Sequence, residues 1–181
     1  MTPRMKESPE HPSQKVLDRF ETAVGRDIPN SQEHAVMDAM SENARWESYK
    51  RRYPPPRAIP RTTKPTAIYN CHGLVFAASR TGVDYGRDVR MILRDDGYIP
   101  VTPSKSLAGD VVLYVSYGDI EHSAILVTPE HASMTGQAVV VSKWGPFTEW
   151  VHDVTMCPYD ATNIEYWRID ARPRPIIEIA R

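Results

Sequence analysis

The amino-acid sequence predicts an α+β fold in which a helix packs on an antiparallel sheet. Two observations lead to this prediction. Apolar residues follow helical spacing near the N-terminus, and short runs rich in Val and Ile, joined by turns, follow after residue 109. Consecutive strands with short connections pair antiparallel. The chain has 181 residues, which suits one domain with an extension.

The first 50 residues predict a tail followed by a helical lobe. Residues 1–12 hold three prolines among charged side chains, and we expect them to be disordered. Ser13 is placed to cap a helix that ends near Gly25. A second apolar pattern predicts a helix from about Asn30 towards Tyr49. Residues 13–50 are therefore interpreted as a helical N-terminal lobe.

Residues 51–66 are rich in proline and in basic side chains. Proline lacks a backbone donor and restrains the residue before it, so this stretch predicts an extended connector. Its positive charge is compatible with docking of an acidic protein partner. A solvated linker explains the same composition, and the sequence leaves both interpretations open.

The remaining chain predicts one catalytic domain over residues 67–172 and a C-terminal tail over 173–181. An apolar run over residues 71–79, followed by Gly82, predicts a helix with a glycine stop, and another helical turn is expected near Asp88. The strands are predicted over residues 111–115, 122–127, 137–142 and 166–169.

Composition excludes several classes of partner. The net charge is −1, with 22 basic and 23 acidic residues, and gives no bulk attraction to nucleic acid or to an anionic membrane. No apolar stretch approaches the roughly 20 residues needed to cross a bilayer. Two cysteines do not suggest a disulfide framework. We therefore expect a cytoplasmic protein, or one exported by a signal-independent machine, with reduced thiols.

Cys71 is the leading candidate for a catalytic residue. It stands at the predicted start of a helix, where unpaired N–H groups and the positive end of the helix dipole favour a thiolate and an oxyanion. His122, at the start of a predicted strand, is the candidate general base. The alternatives are a small buried core cysteine and a hydrogen-bonded structural histidine.

Three segments in this order resemble the NlpC/P60 superfamily of papain-like cysteine peptidases and amidases. The segments are Tyr69-Asn70-Cys71-His72-Gly73-Leu74, Gly109-Asp110-Val111-Val112-Leu113-Tyr114 and His122-Ser123-Ala124-Ile125-Leu126-Val127. The resemblance covers roughly residues 69–145. It implies a papain-like core, a Cys71 nucleophile, a His122 base and cleavage of a peptide, isopeptide or amide bond.

The resemblance also implies a third polar residue that orients the base. This residue usually lies on the strand after the histidine strand, where the sequence offers Ser142 or Lys143. Lysine has no acceptor for an imidazolium, so Ser142 is the tentative orienting residue. His131 or Gln137 would serve if the loop folds back. Asn70 stands where the family typically has aspartate.

Four further residues are candidates for substrate or oxyanion contacts: Tyr69, Asn70, His72 and Trp144. No Cys or His pair has the spacing typical of a zinc site, and we expect neither a metal nor another cofactor. We expect the substrate to be a peptide or a protein. The same dyad would also serve acyl transfer or glutamine deamidation, and an inert scaffold used as a protein-binding module is the non-enzymatic alternative.

Overall fold

The computed structural model describes residues 20–33, 39–55, 57–62 and 65–170. In these ranges the chain forms one seven-stranded antiparallel sheet and three short helices. The helices are α1 (Ala39–Arg52), α2 (Cys71–Phe76) and α3 (Gly86–Asp95). The strands are β1 (Ala58–Pro60), β2 (Tyr98–Val101), β3 (Val111–Ser116), β4 (Asp119–Thr128), β5 (Val139–Lys143), β6 (Glu149–Asp153) and β7 (Asn163–Ile169).

The strand order is β1-β6-β5-β4-β3-β7-β2, so β4 lies at the centre of the sheet. Strands β3 to β6 pair with their neighbours in sequence, as short turns require. Strand β3 matches Tyr114 with His122 and Leu113 with Ser123, with a bulge beyond Tyr114. Because paired residues point to the same face, His122 and Ser123 lie on opposite faces of the sheet.

Each face of the sheet has its own apolar cluster. Leu113 packs with Val89, Ile92 and Leu93 of α3 on one face. The other face carries Tyr114 in a cluster with strand residues and, further along the sheet, an aromatic cluster that includes Tyr49 and Tyr53 from the α1 region. Burial on both faces explains why most of β3 and the first three residues of β5 are apolar without alternation.

The predicted α+β class, a papain-like core with an N-terminal helical extension, is wrong. The described part of the chain is mostly sheet, and its helices have 14, 6 and 10 residues. Helical spacing near the N-terminus misled the prediction. Within the predicted first helix, residues 20–25 form a turn with a bridge between Glu21 and Asp27, and Ile28 enters the core beside α3. Tertiary burial of Ile28 outweighs the local helical pattern.

Several boundaries also differ from the prediction. Ser31 bridges Gly82 where the second predicted helix was expected to begin, and α1 extends two residues into the predicted connector. The connector also contributes β1, whose Ala58 is fully buried. Residues 1–19, which hold the predicted tail and most of the first predicted helix, lie outside the described residues, as do residues 171–181.

Other local predictions are confirmed. Helix α3 and strands β3, β4, β5 and β7 occur where apolar periodicity placed them, and their pairing is antiparallel. Helix α2 begins at Cys71 as predicted but ends at Phe76, because Ala78 and Ser79 adopt positive φ angles. None of the helices in the described ranges combines the length and the apolar character needed to cross a membrane.

Candidate active site around Cys71

Asn70 fixes the start of the helix that carries Cys71. Its side-chain oxygen accepts hydrogen bonds from the backbone N–H groups of Gly73 (2.9 Å) and Val83 (3.2 Å). Its amide nitrogen donates to the Val83 carbonyl at 2.7 Å. Asn70 therefore caps α2 and holds it to the following segment, a structural role that accounts for all of these contacts.

Cys71 occupies the first position of α2, and 8% of its surface is exposed. Burial raises the pKa of its thiol to about 11, although hydrogen bonds from the main chain of Ser123 and His72 act in the opposite direction. The thiol therefore lies against β4 at the level of Ser123. The antiparallel register pairs Ala124 of β4 with Ser142 of β5, so Ser123 lies opposite Lys143, the last residue of β5.

His122 is fully buried next to Ser123 in the central strand. Its ring stacks on Tyr159, with centroids 4.1 Å apart and an interplanar angle of 12°. Neither ring nitrogen has a hydrogen-bond partner within the described ranges. Burial, reinforced by the neighbouring His72 and His152, holds the pKa of His122 well below its ordinary value.

The two predicted members of the dyad thus approach the same stretch of β4 without forming the expected hydrogen bond. Ser123 acts on the pKa of the Cys71 thiol, whereas the His122 ring faces Tyr159 and Tyr114. His122 was predicted at the start of a strand, but β4 begins three residues earlier, at Asp119, and His122 therefore lies inside the central strand. Hydrogen bonds between catalytic residues are often long in the unliganded state.

Ser142, the candidate orienting residue, forms its hydrogen bonds with His152 and Trp144 and not with His122. Its hydroxyl contacts His152 Nε2 at 2.8 Å and accepts a hydrogen bond from Trp144 Nε1 at 3.0 Å. The Nδ1 atom of His152 lies 2.9 Å from the Asp153 carbonyl. Ser142 therefore orients a second buried histidine, and the two side chains form part of the core.

His72 and Trp144 are buried rather than arranged along an open groove. His72 Nδ1 lies 2.9 Å from the Ser123 hydroxyl, and burial lowers the pKa of His72 to about 4. Trp144 has no exposed surface and stacks on Trp150, with centroids 4.4 Å apart. Their contacts are those of residues that hold α2 and the end of β5 in place.

Tyr69 directs its hydroxyl to Glu149 rather than to the Cys71 thiol. The hydroxyl donates to a Glu149 carboxylate oxygen at 2.7 Å. Burial and this hydrogen bond raise the pKa of Tyr69 to about 12, so the phenol stays protonated. The other carboxylate oxygen of Glu149 accepts a hydrogen bond from Arg61 at 2.8 Å. In this arrangement the Tyr69 hydroxyl is already used.

Two residues near Cys71 were missed or set aside in the sequence. Tyr159, which stacks on His122, lies in a loop without any recognisable pattern. Lys143 was set aside because it cannot orient an imidazolium, yet it is fully buried at the end of β5. Lys143 lies two residues after the buried Val141, on the same face of the strand. A lysine at a position where the strand pattern predicts burial is the signal that could have identified it.

A cavity of about 210 Å³ opens beside the start of α2. Tyr69 and Asn70 form one wall, and Gly145 and Pro146 belong to the loop after β5. The described residues contain no group of three or more His, Cys, Asp or Glu side chains arranged to hold a metal ion. Both cysteines are free thiols.

Comparison with protein-family models, with curated proteins and with solved structures finds no match to this chain.

Proposed function

We propose that this protein is a cysteine hydrolase that cleaves a peptide, isopeptide or amide bond, with Cys71 as nucleophile and His122 as general base. One observation carries the proposal. His122 is fully buried with two unused ring nitrogens, and it adjoins Ser123, whose main chain acts to lower the pKa of the Cys71 thiol. A buried polar atom without a partner costs about 1–3 kcal/mol, and such groups are frequent at functional sites.

The proposed reaction begins with attack of the Cys71 sulfur on the carbonyl carbon of the substrate. The thiol proton passes to His122, which then protonates the leaving nitrogen as the carbon–nitrogen bond breaks. Water attacks the resulting thioester, and His122 takes a proton from that water. The tetrahedral intermediate expels the Cys71 sulfur, His122 returns its proton to that sulfur, and the released carboxylic acid loses its own proton to water.

The resting pair is neutral in this proposal. Burial raises the pKa of Cys71 and lowers the pKa of His122, so at neutral pH the thiol is protonated and the imidazole is free to accept a proton. Proton transfer therefore accompanies attack instead of preceding it. Substrate binding must also bring the imidazole and the thiol within hydrogen-bond reach.

The three sequence motifs resemble those of NlpC/P60 hydrolases, and this resemblance supports the assignment of Cys71 and His122. The overall fold gives no such support, because the predicted papain-like class is wrong. The cavity beside Tyr69 and Asn70, which immediately precede the nucleophile, is where we place the peptide or protein substrate next to the scissile bond. The mechanism needs a reduced Cys71, and we therefore place the activity in the cytoplasm, which keeps thiols reduced.

The test is labelling with an electrophilic peptide probe. The probe is expected to modify the intact chain and the Cys157→Ala variant at Cys71, and to leave Cys71→Ala unlabelled. Cys157 is a suitable internal control because burial raises its pKa to about 12. Equal, slow labelling of both cysteines would contradict the proposal. Mass spectrometry of the products then separates hydrolysis from acyl transfer or deamidation, which share the first step.

A catalytically inert protein-binding module is the second candidate. The buried Cys71 thiol with its raised pKa favours it, because such cysteines are usually unreactive. In that case Arg51 and Arg52, exposed at the end of α1, are the available basic surface for an acidic partner. Arg57 and Arg61 of the connector already pair with Asp153 and Glu149.

A further inference from the structure

Lys143 is a buried cation beside Tyr69, just before the helix that carries Cys71. Its side chain has no exposed surface, which is rare for lysine. The Nζ atom donates hydrogen bonds to the carbonyl oxygens of Gly145 at 3.0 Å and Phe147 at 2.7 Å. It also lies 5.0 Å from the centroid of the Tyr69 ring, two residues before the nucleophile.

The partners of Lys143 leave its charge available. Carbonyl oxygens and an aromatic ring hold an ammonium group but do not neutralise it. The nearest carboxylate, Glu149, is bound by Arg61 and by the Tyr69 hydroxyl, and the two salt-bridge atoms of Glu149 and Arg61 are 2.8 Å apart. The loop after β5 therefore fixes a positive charge where α2 begins.

Lys143 and Cys71 interact through their charges. Burial lowers the pKa of Lys143 to about 8, while Glu149 and the thiolate form of Cys71 act to raise it. A charge interaction is reciprocal, so an ammonium group favoured by the thiolate favours the thiolate to the same extent. Helix α2 has six residues, and so short a helix contributes little of the dipole on which thiolate stabilisation usually depends.

We propose that Lys143 is a positioning residue whose buried ammonium group favours the negatively charged sulfur of Cys71 as that sulfur attacks a substrate. This inference rests on the proposed function. It gives Lys143 an electrostatic role that differs from the orienting role of a third catalytic residue, since lysine offers no acceptor to His122. The charge is held in place before the reaction by Gly145 and Phe147, so little reorganisation is needed.

The experiment measures the rate of Cys71 alkylation by iodoacetamide between pH 6 and 11, in full-length chains that carry Cys157→Ala. Lys143→Met is expected to slow alkylation about tenfold at pH 7, where Lys143 carries its charge, and to leave the rate above pH 9 nearly unchanged, because Lys143, with a pKa of about 8, has lost its proton there. Lys143→Arg keeps the charge and is expected to retain most of the rate. Lys105→Met, a change at an exposed lysine, is the control and leaves the profile unchanged.

An unchanged pH profile for Lys143→Met would overturn the inference. If that variant does not fold, as judged by circular dichroism, Lys143→Gln decides. It removes the charge but keeps an N–H donor for the carbonyl oxygens of Gly145 and Phe147, and a pH profile equal to that of Lys143→Arg overturns the inference. A profile that depends on Lys143 in a chain without peptide turnover supports the inference while refuting the hydrolase. If peptide turnover requires Cys71 but the pH profile of alkylation is independent of Lys143, the hydrolase is supported and the inference about Lys143 is refuted.

Discussion

At the scale of single residues, Asn70 shows how the start of α2 is held. Its side chain makes three hydrogen bonds, one to the first turn of the helix and two to the backbone of Val83. Val83 is fully buried, so water cannot replace these contacts. The cap and the position of the Cys71 thiol therefore depend on the same amide group.

Asn70→Ala is expected to lower the free energy of unfolding by about 2–4 kcal/mol. The lost cap accounts for about 1 kcal/mol, and the unsatisfied backbone groups of Val83 account for the rest. Asn70→Asp keeps the acceptor for the N–H groups but loses the donor to Val83, so its loss is expected to be smaller. Urea unfolding of both variants measures the difference, and equal losses would contradict this assignment of the contacts.

At the scale of elements, Gly73 allows α2 to pack against the segment that follows it. A Cβ atom at this position would lie 1.8 Å from the carbonyl oxygen of Thr81, which belongs to the backbone and cannot move aside. The chain turns back after α2 through Ala78 and Ser79, and this close approach results. The glycine is required by tertiary packing and not by its own φ angle.

Gly73→Ala is therefore expected to cost more than 3 kcal/mol of stability and to displace Cys71. The matched control is Gly109→Ala. Gly109 has a φ of +92° but nothing within 4 Å of the added Cβ, so its cost is the backbone strain of about 1 kcal/mol. Thermal unfolding of the two variants compares these costs. A Gly73→Ala chain as stable as Gly109→Ala would contradict the close packing described.

The elements also show what could be predicted from sequence. Strands β3, β4 and β5 carry runs of Val and Ile, and such local patterns predict strands correctly. Strand β6 (Glu149–Asp153) was missed because its two acidic residues suggest a loop. Their charges are paired with Arg61 and Arg57, about 90 positions earlier in the chain, and local pattern contains no information on such distant partners.

In the candidate site, too, local patterns were predictable and distant contacts were not. Cys71 and His122 were proposed from short sequence motifs, and the start of α2 at Cys71 was predicted correctly. The surroundings of His122 were not, since Tyr159 reaches it from a loop 37 positions away. Lys143 was set aside on its hydrogen-bonding chemistry alone, because nothing in the sequence places the β5 end beside Tyr69.

At the scale of the whole molecule, buried histidines make the fold sensitive to acid. His72, His122 and His152 have at most 4% of their surface exposed, and burial lowers the pKa of each. The pKa falls to about 4 for His72 and His152. Between pH 6.5 and 4 the unfolded chain therefore binds more protons than the folded one, and stability falls as the pH falls.

We expect the free energy of unfolding to be nearly constant between about pH 7 and 8 and to decrease from about pH 6.5 towards pH 4. His72 and His152 contribute about 3 kcal/mol each to this loss. In urea unfolding across this range, His152→Gln is expected to reduce the slope by about 1.4 kcal/mol per pH unit. His131→Gln, a change at an exposed histidine, is the control. Identical slopes for the two variants would refute the assignment.

The central claim, that Cys71 attacks with His122 as its base, is tested most directly by comparing two histidine variants. Both His72 and His122 are buried beside Ser123, so His72→Gln is a matched control for His122→Gln. The measurement is the rate at which Cys71 is acylated by an activated peptide ester at pH 7.5, in chains shown to be folded. This role for His122 predicts a loss of at least about 100-fold for His122→Gln and a small loss for His72→Gln. Equal rates for the two variants, or an unchanged rate for His122→Gln, would contradict it.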